Sequence, residues 1–202
     1  MEKDHNTAFG LFVKKNFIDR ELCERIRMEM LSAKGLPAYF VVNKENKPLV
    51  DENVRRAVEK EVSNEIHVLV RDKLSGVKEE LAAYFDITLS HLQEPRFLSY
   101  GEGDFFQIHT DKSTNPQHPQ RIRDRKITTI IFLNDETDVP ENNAYTGGSF
   151  IIYGILNIPR FESHGFKVTG TTGMLIAFRS ELLHEVTPIT SGVRYTVADW
   201  FV

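Results

Sequence analysis

Apolar positions divide the chain into a helical first part and a β-rich second part. Between about Asp51 and Tyr84, apolar residues recur at steps of three and four, which places them on one face of an α-helix. They are Ile66, Leu69 or Val70, Leu74, Val77, Leu81 and Tyr84. This pattern predicts a long amphipathic helix that packs against a sheet.

A shorter helix is predicted near the start of the chain, within the segment Asn16–Gly35. Asp19 can act as its N-cap, helix-forming residues follow, and Gly35 is a typical stop. The next segment, Ala38–Asn43, is rich in β-branched and aromatic residues, so it predicts a strand.

From about Glu94 onward, short β-rich runs alternate with Gly, Pro, Asn and Asp. The runs are RFLSY, FFQIHTD, KITTIIFLND, GGSFIIYG, TGMLIAF, HEVTPI and RYTVADWFV. Many short strands separated by turn residues are typical of an antiparallel sandwich or barrel. We therefore expect a single domain over residues 1–202, in which the mainly helical residues 1–90 support a β-barrel core formed by residues 94–202.

Composition and charge narrow the class of protein. The 202 residues are 41% apolar and 27% charged, as in globular proteins, and the net charge of −4 does not suggest a nucleic-acid partner. Cys23 is the sole cysteine, so no internal disulfide can form and a reducing compartment is expected. No apolar run approaches the roughly 20 residues of a membrane span, and the first ten residues lack a signal-peptide pattern. We expect a cytoplasmic protein without a membrane partner.

The run FLSYGEGDFFQIHTDKS, Phe97–Ser113, contains a candidate pair of metal ligands. Residues i and i+2 of a strand point to the same side, so His109 and Asp111 would converge. Alone, this pair also fits an ordinary strand and turn. Of the seven histidines, His184 at the start of a later β-rich run is the best-placed third ligand. Two histidines and one carboxylate with open positions form the arrangement that non-haem Fe(II) oxygenases use.

Arg194 is unusual because it lies within an otherwise apolar strand pattern. With a period of two, it shares one face with Thr196, Ala198 and Trp200. Burying an unpaired charge is costly, so a buried Arg194 needs an anionic partner, and with Thr196 it could bind a carboxylate. The alternative is an exposed arginine on a terminal strand.

Two polar loops follow candidate strands. The loop Lys112–Lys126 has five basic residues against one acidic residue, whereas Asp135–Gly148 is acidic and rich in turn residues. Both are either solvated hairpin loops or rim loops over a pocket. As a rim loop, Lys112–Lys126 could serve an acidic substrate.

The order and spacing of these residues resemble a known family. A tyrosine, a glycine and an aromatic residue at steps of three lead to the first ligands, and a glycine pair follows. A G-x-L-x-x-F strand then precedes the distal histidine, and a basic residue comes ten positions after that histidine. The residues are Tyr100, Gly103, Phe106, His109, Asp111, Gly147, Gly148, Gly173, Phe178, His184, Arg194, Tyr195, Trp200 and Phe201. Over roughly Glu94–Val202, the chain resembles the Fe(II)- and 2-oxoglutarate-dependent dioxygenases, most closely their prolyl-4-hydroxylase-like branch.

The resemblance implies an α+β fold with a double-stranded β-helix core, a jelly-roll or cupin-like barrel, supported by the N-terminal helices. It also implies that Fe(II) is bound by His109, Asp111 and His184, and that Arg194 pairs with the distal carboxylate of 2-oxoglutarate. O2 would be the second cosubstrate and ascorbate a candidate cofactor.

Tyr100 and Thr196 are the further residues that the resemblance suggests as hydrogen-bond donors to that carboxylate. Two positions loosen the match to a subfamily. Phe132 stands where relatives often have a tyrosine, and some prolyl hydroxylases have lysine in place of Arg194.

The function that the resemblance favours is hydroxylation of a peptide or protein, at proline. Hydroxylation of a free amino acid or another small metabolite is the main alternative. A non-catalytic barrel that binds a metal or a small acid is a third interpretation, and a nucleic-acid demethylase a distant one. Asp111 favours hydroxylation over halogenation, since related halogenases lack this carboxylate.

Overall fold

The N-terminal half of the chain contains helices together with short strands. The computed structural model describes residues 10–38, 41–42, 48–156 and 163–202. The N-terminal elements are β1 (Leu11–Lys14), α1 (Arg20–Ser32), β2 (Gly35–Pro37), β3 (Val41–Val42), β4 (Pro48–Leu49), β5 (Arg55–Arg56), β6 (Val58–Lys60), α2 (Asn64–Gly76) and α3 (Lys78–Phe85).

The regular secondary structure described in the second half is almost entirely β, as predicted. Its elements are β7 (Arg96–Tyr100), β8 (Phe105–His109), α4 (Gln120–Arg123), β9 (Ile127–Phe132), β10 (Tyr145–Gly147), β11 (Phe150–Tyr153), β12 (Gly165–Val168), β13 (Leu175–Arg179), β14 (His184–Val186), β15 (Ile189–Gly192) and β16 (Arg194–Phe201).

Antiparallel pairing organises these strands into two main sheets. Within the described residues, a seven-stranded sheet has the order β1-β13-β9-β16-β7-β6-β2, and a five-stranded sheet has the order β12-β11-β14-β8-β5. Strand pairs β10-β15 and β3-β4 are separate. The fold is the predicted α+β double-stranded β-helix, in which the C-terminal half contributes strands to both sheets: β7, β9, β13 and β16 to the larger one, and β8, β11, β12 and β14 to the smaller one.

The larger sheet is covered by the helices on one face. Ile26 of α1, Ile66 and Leu74 of α2, and Val197 and Phe201 of β16 belong to one buried apolar cluster. Full burial of such a side chain stabilises the fold by about 1.5–3 kcal/mol. Because the helices and the larger sheet share this core, we keep the prediction of one domain over residues 1–202.

The opposite face of the larger sheet meets the smaller sheet. Leu98 and Trp200 of the larger sheet and Phe106 and Phe150 of the smaller one lie in a second apolar cluster. This interior is where side chains from both sheets converge, so it is where a site can be built on rigid strands.

The first predicted helix is confirmed, but its predicted end is wrong. Asp19 is the N-cap, since its side chain accepts a hydrogen bond from the backbone N–H of Leu22 at 2.8 Å. The helix ends at Ser32, and Gly35 begins strand β2 instead. A Cβ on Gly35 would lie 2.2 Å from Cγ1 of Val58 on the neighbouring strand, so this glycine serves strand pairing rather than helix termination.

The long helix predicted from Asp51 is wrong over its first dozen residues. Residues 55–60 form β5 and β6, and α2 begins only at Asn64, after the N-cap Ser63. Val54, Val58 and Val62 are spaced by four, which imitates a helical stripe.

The apolar stripe itself is confirmed after that point, although it runs along two helices. Ile66, Val70, Leu74 and Leu81 are buried, and the helix is interrupted at Val77. Phe85 is buried at the end of α3, whereas the predicted Tyr84 is partly exposed.

The strand predicted over Ala38–Asn43 is present as β3 at Val41–Val42, and residues 39, 40 and 43 lie outside the described part of the chain. In the described part of the chain, no helix combines the length and apolar character needed to cross a lipid bilayer.

Candidate metal centre

One cavity between the two sheets collects all the site residues that the sequence predicted. Its volume is about 560 Å³, with the open mouth included. The six predicted residues on its wall are Tyr100, His109, Asp111, His184, Arg194 and Thr196. Sequence positions almost one hundred residues apart therefore meet in one place.

Strand pairing brings the three candidate metal ligands together. His109 at the end of β8 and His184 at the start of β14 are direct partners in the antiparallel register, so their side chains lie side by side. Asp111 follows β8 by two residues. Among the described residues, the ligand atoms of His109, Asp111 and His184 form a cluster in which all lie within 4.8 Å of one another.

Backbone carbonyl groups fix the orientation of both imidazoles. Nδ1 of His109 lies 2.7 Å from the Gln107 oxygen, and Nδ1 of His184 lies 2.9 Å from the Leu182 oxygen. Only a protonated Nδ1 can donate to a carbonyl, so in the neutral rings Nε2 carries the free lone pair. These Nε2 atoms lie 3.7 and 3.5 Å from the carboxylate oxygens of Asp111, which leaves room for one ion between the three groups.

Asp111 is held by its own set of partners. The Thr128 hydroxyl donates to Oδ2 of Asp111 at 2.8 Å and lies 3.0 Å from the Ser180 hydroxyl. The backbone N–H of Asp111 donates to the Ser180 carbonyl at 3.0 Å. Such outer hydrogen bonds orient a carboxylate ligand before a metal binds.

Electrostatics keep His109 and Asp111 in the protonation states that metal binding requires. Burial lowers the pKa of His109 to about 3, and the adjacent His184 adds to this effect. Burial alone would raise the pKa of Asp111, but His184 and His109 outweigh it and hold that pKa well below its usual value. At neutral pH, His109 is therefore neutral and Asp111 ionised, which are the forms of a ligand.

Aromatic rings enclose the two histidines. Phe106 stacks on His109 with ring centroids 3.5 Å apart and an interplanar angle of 21°. Phe178 and Phe150 lie against His184, with centroid distances of 4.8 and 5.5 Å. These rings limit rotation of the imidazoles and reduce access of water.

Arg194 lies in the same cavity, and its side chain is 1% exposed. Its Nε and Nη2 atoms are buried without a hydrogen-bond partner among the described residues. Its guanidinium carbon is 5.3 Å from the ring centroids of both Tyr100 and Phe132. Because a buried cation without a counter-charge is strongly unfavourable, the geometry fits an anionic ligand. The alternative of an exposed arginine is wrong.

The strand periodicity around Arg194 is confirmed. Arg194, Thr196, Ala198 and Trp200 all line the cavity, whereas Tyr195 and Val197 pack into the core on the helical side. The Tyr100 hydroxyl, proposed for the same ligand, accepts a hydrogen bond from Nη2 of Arg55 at 3.1 Å.

Tyr145 is a residue that the sequence analysis missed. Its hydroxyl is buried near Arg194 and makes no hydrogen bond of regular geometry with the described residues. Burial raises the pKa of Tyr145 to about 12, and the nearby charge of Arg194 opposes that rise. The phenol therefore stays protonated and can donate to an anion. Its hydroxyl lies close to Arg194 and beside Phe132, which has no hydroxyl of its own.

The glycine pair after Tyr145 could have indicated its role. Gly148 has a φ of +57°, and a Cβ there would lie 2.1 Å from Cδ1 of Ile189 and 3.4 Å from Cδ of Arg194. The positive φ and the close approach to Ile189 therefore require glycine, and Tyr145, three residues before Gly148, lies near the arginine.

The loop Lys112–Lys126 lines a second, wider groove that shares His109, Asp111 and Arg125 with the inner cavity. Lys112 and Arg125 face this groove. Arg123 and Lys126 instead donate to the backbone carbonyls of His118 and Thr88. The loop is therefore a rim, but only part of its basic charge faces the opening.

Facing antiparallel sheets with this ligand set at the inner wall are typical of the non-haem iron oxygenases. The sequence comparison agrees with this class of protein. A family model matches residues 95–202, and the chain belongs to that family, the 2OG-Fe(II) oxygenase superfamily. The name of the family gives Fe(II) and 2-oxoglutarate as the groups that its members use.

Relatives in sequence are hydroxylases by name. The PKHD-type hydroxylase of Paracoccus denitrificans (strain Pd 1222) is 30% identical over 113 residues, which cover 55% of this chain and 44% of that protein. The chain spans about half the length of the curated relatives that it matches, from 41% to 59%.

Two solved structures are similar over nearly the whole chain. A prolyl-4-hydroxylase of Pseudomonas putida aligns with a TM-score of 0.68 and 17% identity, over 98% of this chain and 95% of that one. A prolyl hydroxylase from Trichoplax adhaerens, in complex with a peptide fragment of the hypoxia inducible factor oxygen degradation domain, also gives 0.68 and 17%, over 96% and 84%. At this identity the likeness shows a shared fold.

Proposed function

We propose that this chain is an Fe(II)- and 2-oxoglutarate-dependent dioxygenase that hydroxylates a peptide or protein substrate at proline. The observation that carries the proposal is one cavity that holds both the three-ligand cluster and a buried arginine, two of whose guanidinium nitrogens have no hydrogen-bond partner among the described residues. The names of the relatives support the substrate class, since they are PKHD-type and prolyl hydroxylases.

His109, Asp111 and His184 would hold Fe(II), and Arg194 with the Tyr145 hydroxyl would bind the distal carboxylate of 2-oxoglutarate. Thr196 and Tyr100 remain proposed neighbours of that carboxylate. When bound, the metal and 2-oxoglutarate supply an oxidation by O2 that releases succinate and CO2 and inserts one oxygen atom into a substrate C–H bond. Ascorbate is a candidate reductant that keeps the iron active.

The chain's own residues would bind and orient the cosubstrate and exclude water from the site. Arg194 neutralises the carboxylate and aligns the cosubstrate along the cavity toward the metal ligands. Phe106, Phe150 and Phe178 form apolar walls around the histidines, so that the reacting atoms lie in a site with little water. Trp200 and Val186 add to the apolar lining of the same cavity.

The outer groove favours a peptide over a free amino acid. The groove opens to solvent beside the inner cavity, so a chain longer than a single amino acid could extend along it. The groove is lined by groups able to bond a peptide backbone, such as Thr110, Ser113, Thr114 and Asn115, and it reaches His109 and Asp111. The Trichoplax relative binds a peptide fragment.

We also propose a cytoplasmic location without a membrane or nucleic-acid partner. Support comes from the net charge of −4 and from Cys23, a buried free thiol. Such a thiol is typical of a reducing compartment.

A screen for succinate release tests the proposal. Prolyl peptides and free amino acids are incubated with protein, Fe(II), 2-oxoglutarate and O2, and products are examined for a mass increase of about 16 Da, one oxygen atom. We expect release and mass increase together with a prolyl peptide. Products from free amino acids alone would favour the metabolite alternative. If anaerobic Fe(II) and 2-oxoglutarate give no visible charge-transfer band while metal is bound, the oxygenase proposal fails.

A further inference from the structure

The segment 51–56 lies outside the part of the chain that matches the family. It nevertheless forms hydrogen bonds with β8, the strand that ends at the candidate metal ligand His109. The carbonyl of Val54 accepts from the Gln107 backbone N–H at 2.9 Å, and the carbonyl of Asn53 accepts from the Gln107 side chain at 2.7 Å. Gln107 in turn offers its own carbonyl to Nδ1 of His109. The segment thus supports the strand end from which His109 projects.

Arg55 of this segment adds a side-chain contact. It is the register partner of Phe106 across β5 and β8, and its guanidinium carbon lies 4.4 Å from the Phe106 ring centroid. The same ring stacks on His109 at 3.5 Å. Arginine, aromatic ring and imidazole therefore form one continuous contact that ends at a metal ligand.

A second contact leads from Arg55 toward the other end of the cavity. Nη2 of Arg55 donates to the Tyr100 hydroxyl at 3.1 Å. The Tyr100 ring lies 5.3 Å from the guanidinium carbon of Arg194, and the two residues are register partners across β7 and β16. Arg55 itself is 5% exposed and lines the cavity.

We propose that Arg55 is a positioning residue, which orients His109 through Phe106 and steadies the Arg194 pocket through Tyr100. The inference rests on the proposed function in two respects, the role of His109 as a metal ligand and the role of the Arg194 pocket in binding 2-oxoglutarate. Its contacts require a planar group that stacks on a ring while it donates to a hydroxyl, and arginine combines both properties whereas lysine does not. An N-terminal strand of two residues thereby becomes part of the active site.

The test compares Arg55→Met, Arg55→Lys and the control Arg56→Met. Arg56 is the next residue of β5, is exposed, and lies 5.7 Å from the ring of Phe105 on the other side of the strand. Anaerobic titration with Co(II), followed by its visible absorption, reports the metal site without substrate turnover. We expect Arg55→Met to weaken Co(II) binding on the order of tenfold, as for other outer partners of metal ligands. Arg55→Lys should recover part of this loss, and Arg56→Met should match wild type.

Double-variant cycles separate positioning from general stability. Arg55→Met and Phe106→Leu should be strongly non-additive in Co(II) affinity, because each breaks the same contact. Arg55→Met and Tyr100→Phe should likewise be non-additive in the KM for 2-oxoglutarate. Additive effects would overturn the proposal. So would an Arg55→Met protein that unfolds at a lower temperature without metal but binds Co(II) as tightly as wild type.

The outcomes for Arg55 and for the proposed function are distinguishable. A wild-type protein that binds Co(II) with the predicted dependence on Arg55, but releases no succinate with any peptide, retains the positioning role and loses the proposed reaction. Hydroxylation and Co(II) binding that are both unchanged in Arg55→Met would overturn the positioning role alone.

Discussion

The two ends of the cavity differ in how completely the protein satisfies their polar groups. At the metal end, His109 and His184 each bond a backbone carbonyl, and Asp111 bonds the Thr128 hydroxyl. At the other end, Nε and Nη2 of Arg194 have no hydrogen-bond partner among the described residues. One end is preassembled by the fold, whereas we propose that the other is completed only by a ligand.

This difference has an energetic consequence. Hydrogen bonds to the ligands restrict the metal end to one geometry before the ion arrives, so metal binding needs little rearrangement. Arg194 instead carries an unfavourable buried charge, which an anion would relieve. Substitutions at the metal end should therefore act on metal affinity, and substitutions at the Arg194 end on the affinity for 2-oxoglutarate and on the stability of the ligand-free protein.

The largest effect is expected from His184→Ala, which removes a metal ligand. Co(II) affinity should fall by more than about 100-fold, because even the outer partners of ligands account for about 10–100-fold. Succinate formation should be lost. Anaerobic Co(II) titration measures the change, with the exposed His91→Ala as the control. Metal-dependent succinate formation that survives in His184→Ala would contradict the ligand assignment.

Arg194→Met should raise the KM for 2-oxoglutarate by at least about 100-fold, since breaking a buried charge pair costs about 3–5 kcal/mol and each 1.4 kcal/mol is a factor of about ten. Arg194→Lys should fall between Met and wild type. Steady-state succinate release gives the KM, and Co(II) titration should give a wild-type affinity. Equal changes in the metal and 2-oxoglutarate requirements would contradict the division between the two ends.

The same variant makes a prediction about stability that has the opposite sign. Without ligand, Arg194→Met should be as stable as wild type or more stable, because an apolar side chain replaces an unpaired buried charge. Urea unfolding of both proteins without 2-oxoglutarate measures this free energy. A clear loss of stability in the ligand-free variant would contradict the conclusion that the buried charge of Arg194 is unfavourable without an anion.

More of the metal end than of the Arg194 end could be predicted from the sequence. His109 and Asp111 could be predicted because a strand fixes the direction of i and i+2, and Arg194 because a charge in an apolar strand demands a partner. Tyr145 could not, because it lies at the end of the segment Asp135–Gly148, which the sequence indicated to be a loop and in which no period is visible; its strand β10 has three residues. Its position follows from the positive φ of Gly147 and Gly148 and from pairing with β15, which are tertiary features.

Arg55 was missed for a related reason. Strand β5 has two residues, too few to show alternation, and the neighbouring Val54, Val58 and Val62 imitate a helix. The pairing of β5 with β8 decides its conformation, and that pairing joins residues about fifty positions apart. Local patterns therefore predict long strands and helices well, and they fail where a short strand depends on its partner.

Thr128→Val tests whether the metal end depends on its outer hydrogen bonds. Loss of the hydroxyl that bonds Asp111 should weaken Co(II) binding by about 10–100-fold and leave the KM for 2-oxoglutarate unchanged at saturating metal. Thr128→Ser, which keeps the hydroxyl, is the matched control and should bind Co(II) nearly as wild type. If the Val and Ser variants are equally weak, packing rather than the hydrogen bond is responsible.

The smallest effect is expected from Tyr145→Phe at the Arg194 end. Loss of one hydroxyl that donates to a carboxylate costs about 1.5 kcal/mol, so the KM for 2-oxoglutarate should rise about tenfold. Because the pKa of Tyr145 is raised to about 12, the phenol stays a donor throughout the physiological range, and the ratio of variant to wild-type KM should not change with pH in that range. Tyr195→Phe, on the opposite face of the larger sheet, is the matched control and should leave the KM unchanged. An unaltered KM in Tyr145→Phe would leave Arg194 to bind the carboxylate without this hydroxyl, and the ligand-dependent end of the cavity would be simpler than the metal end.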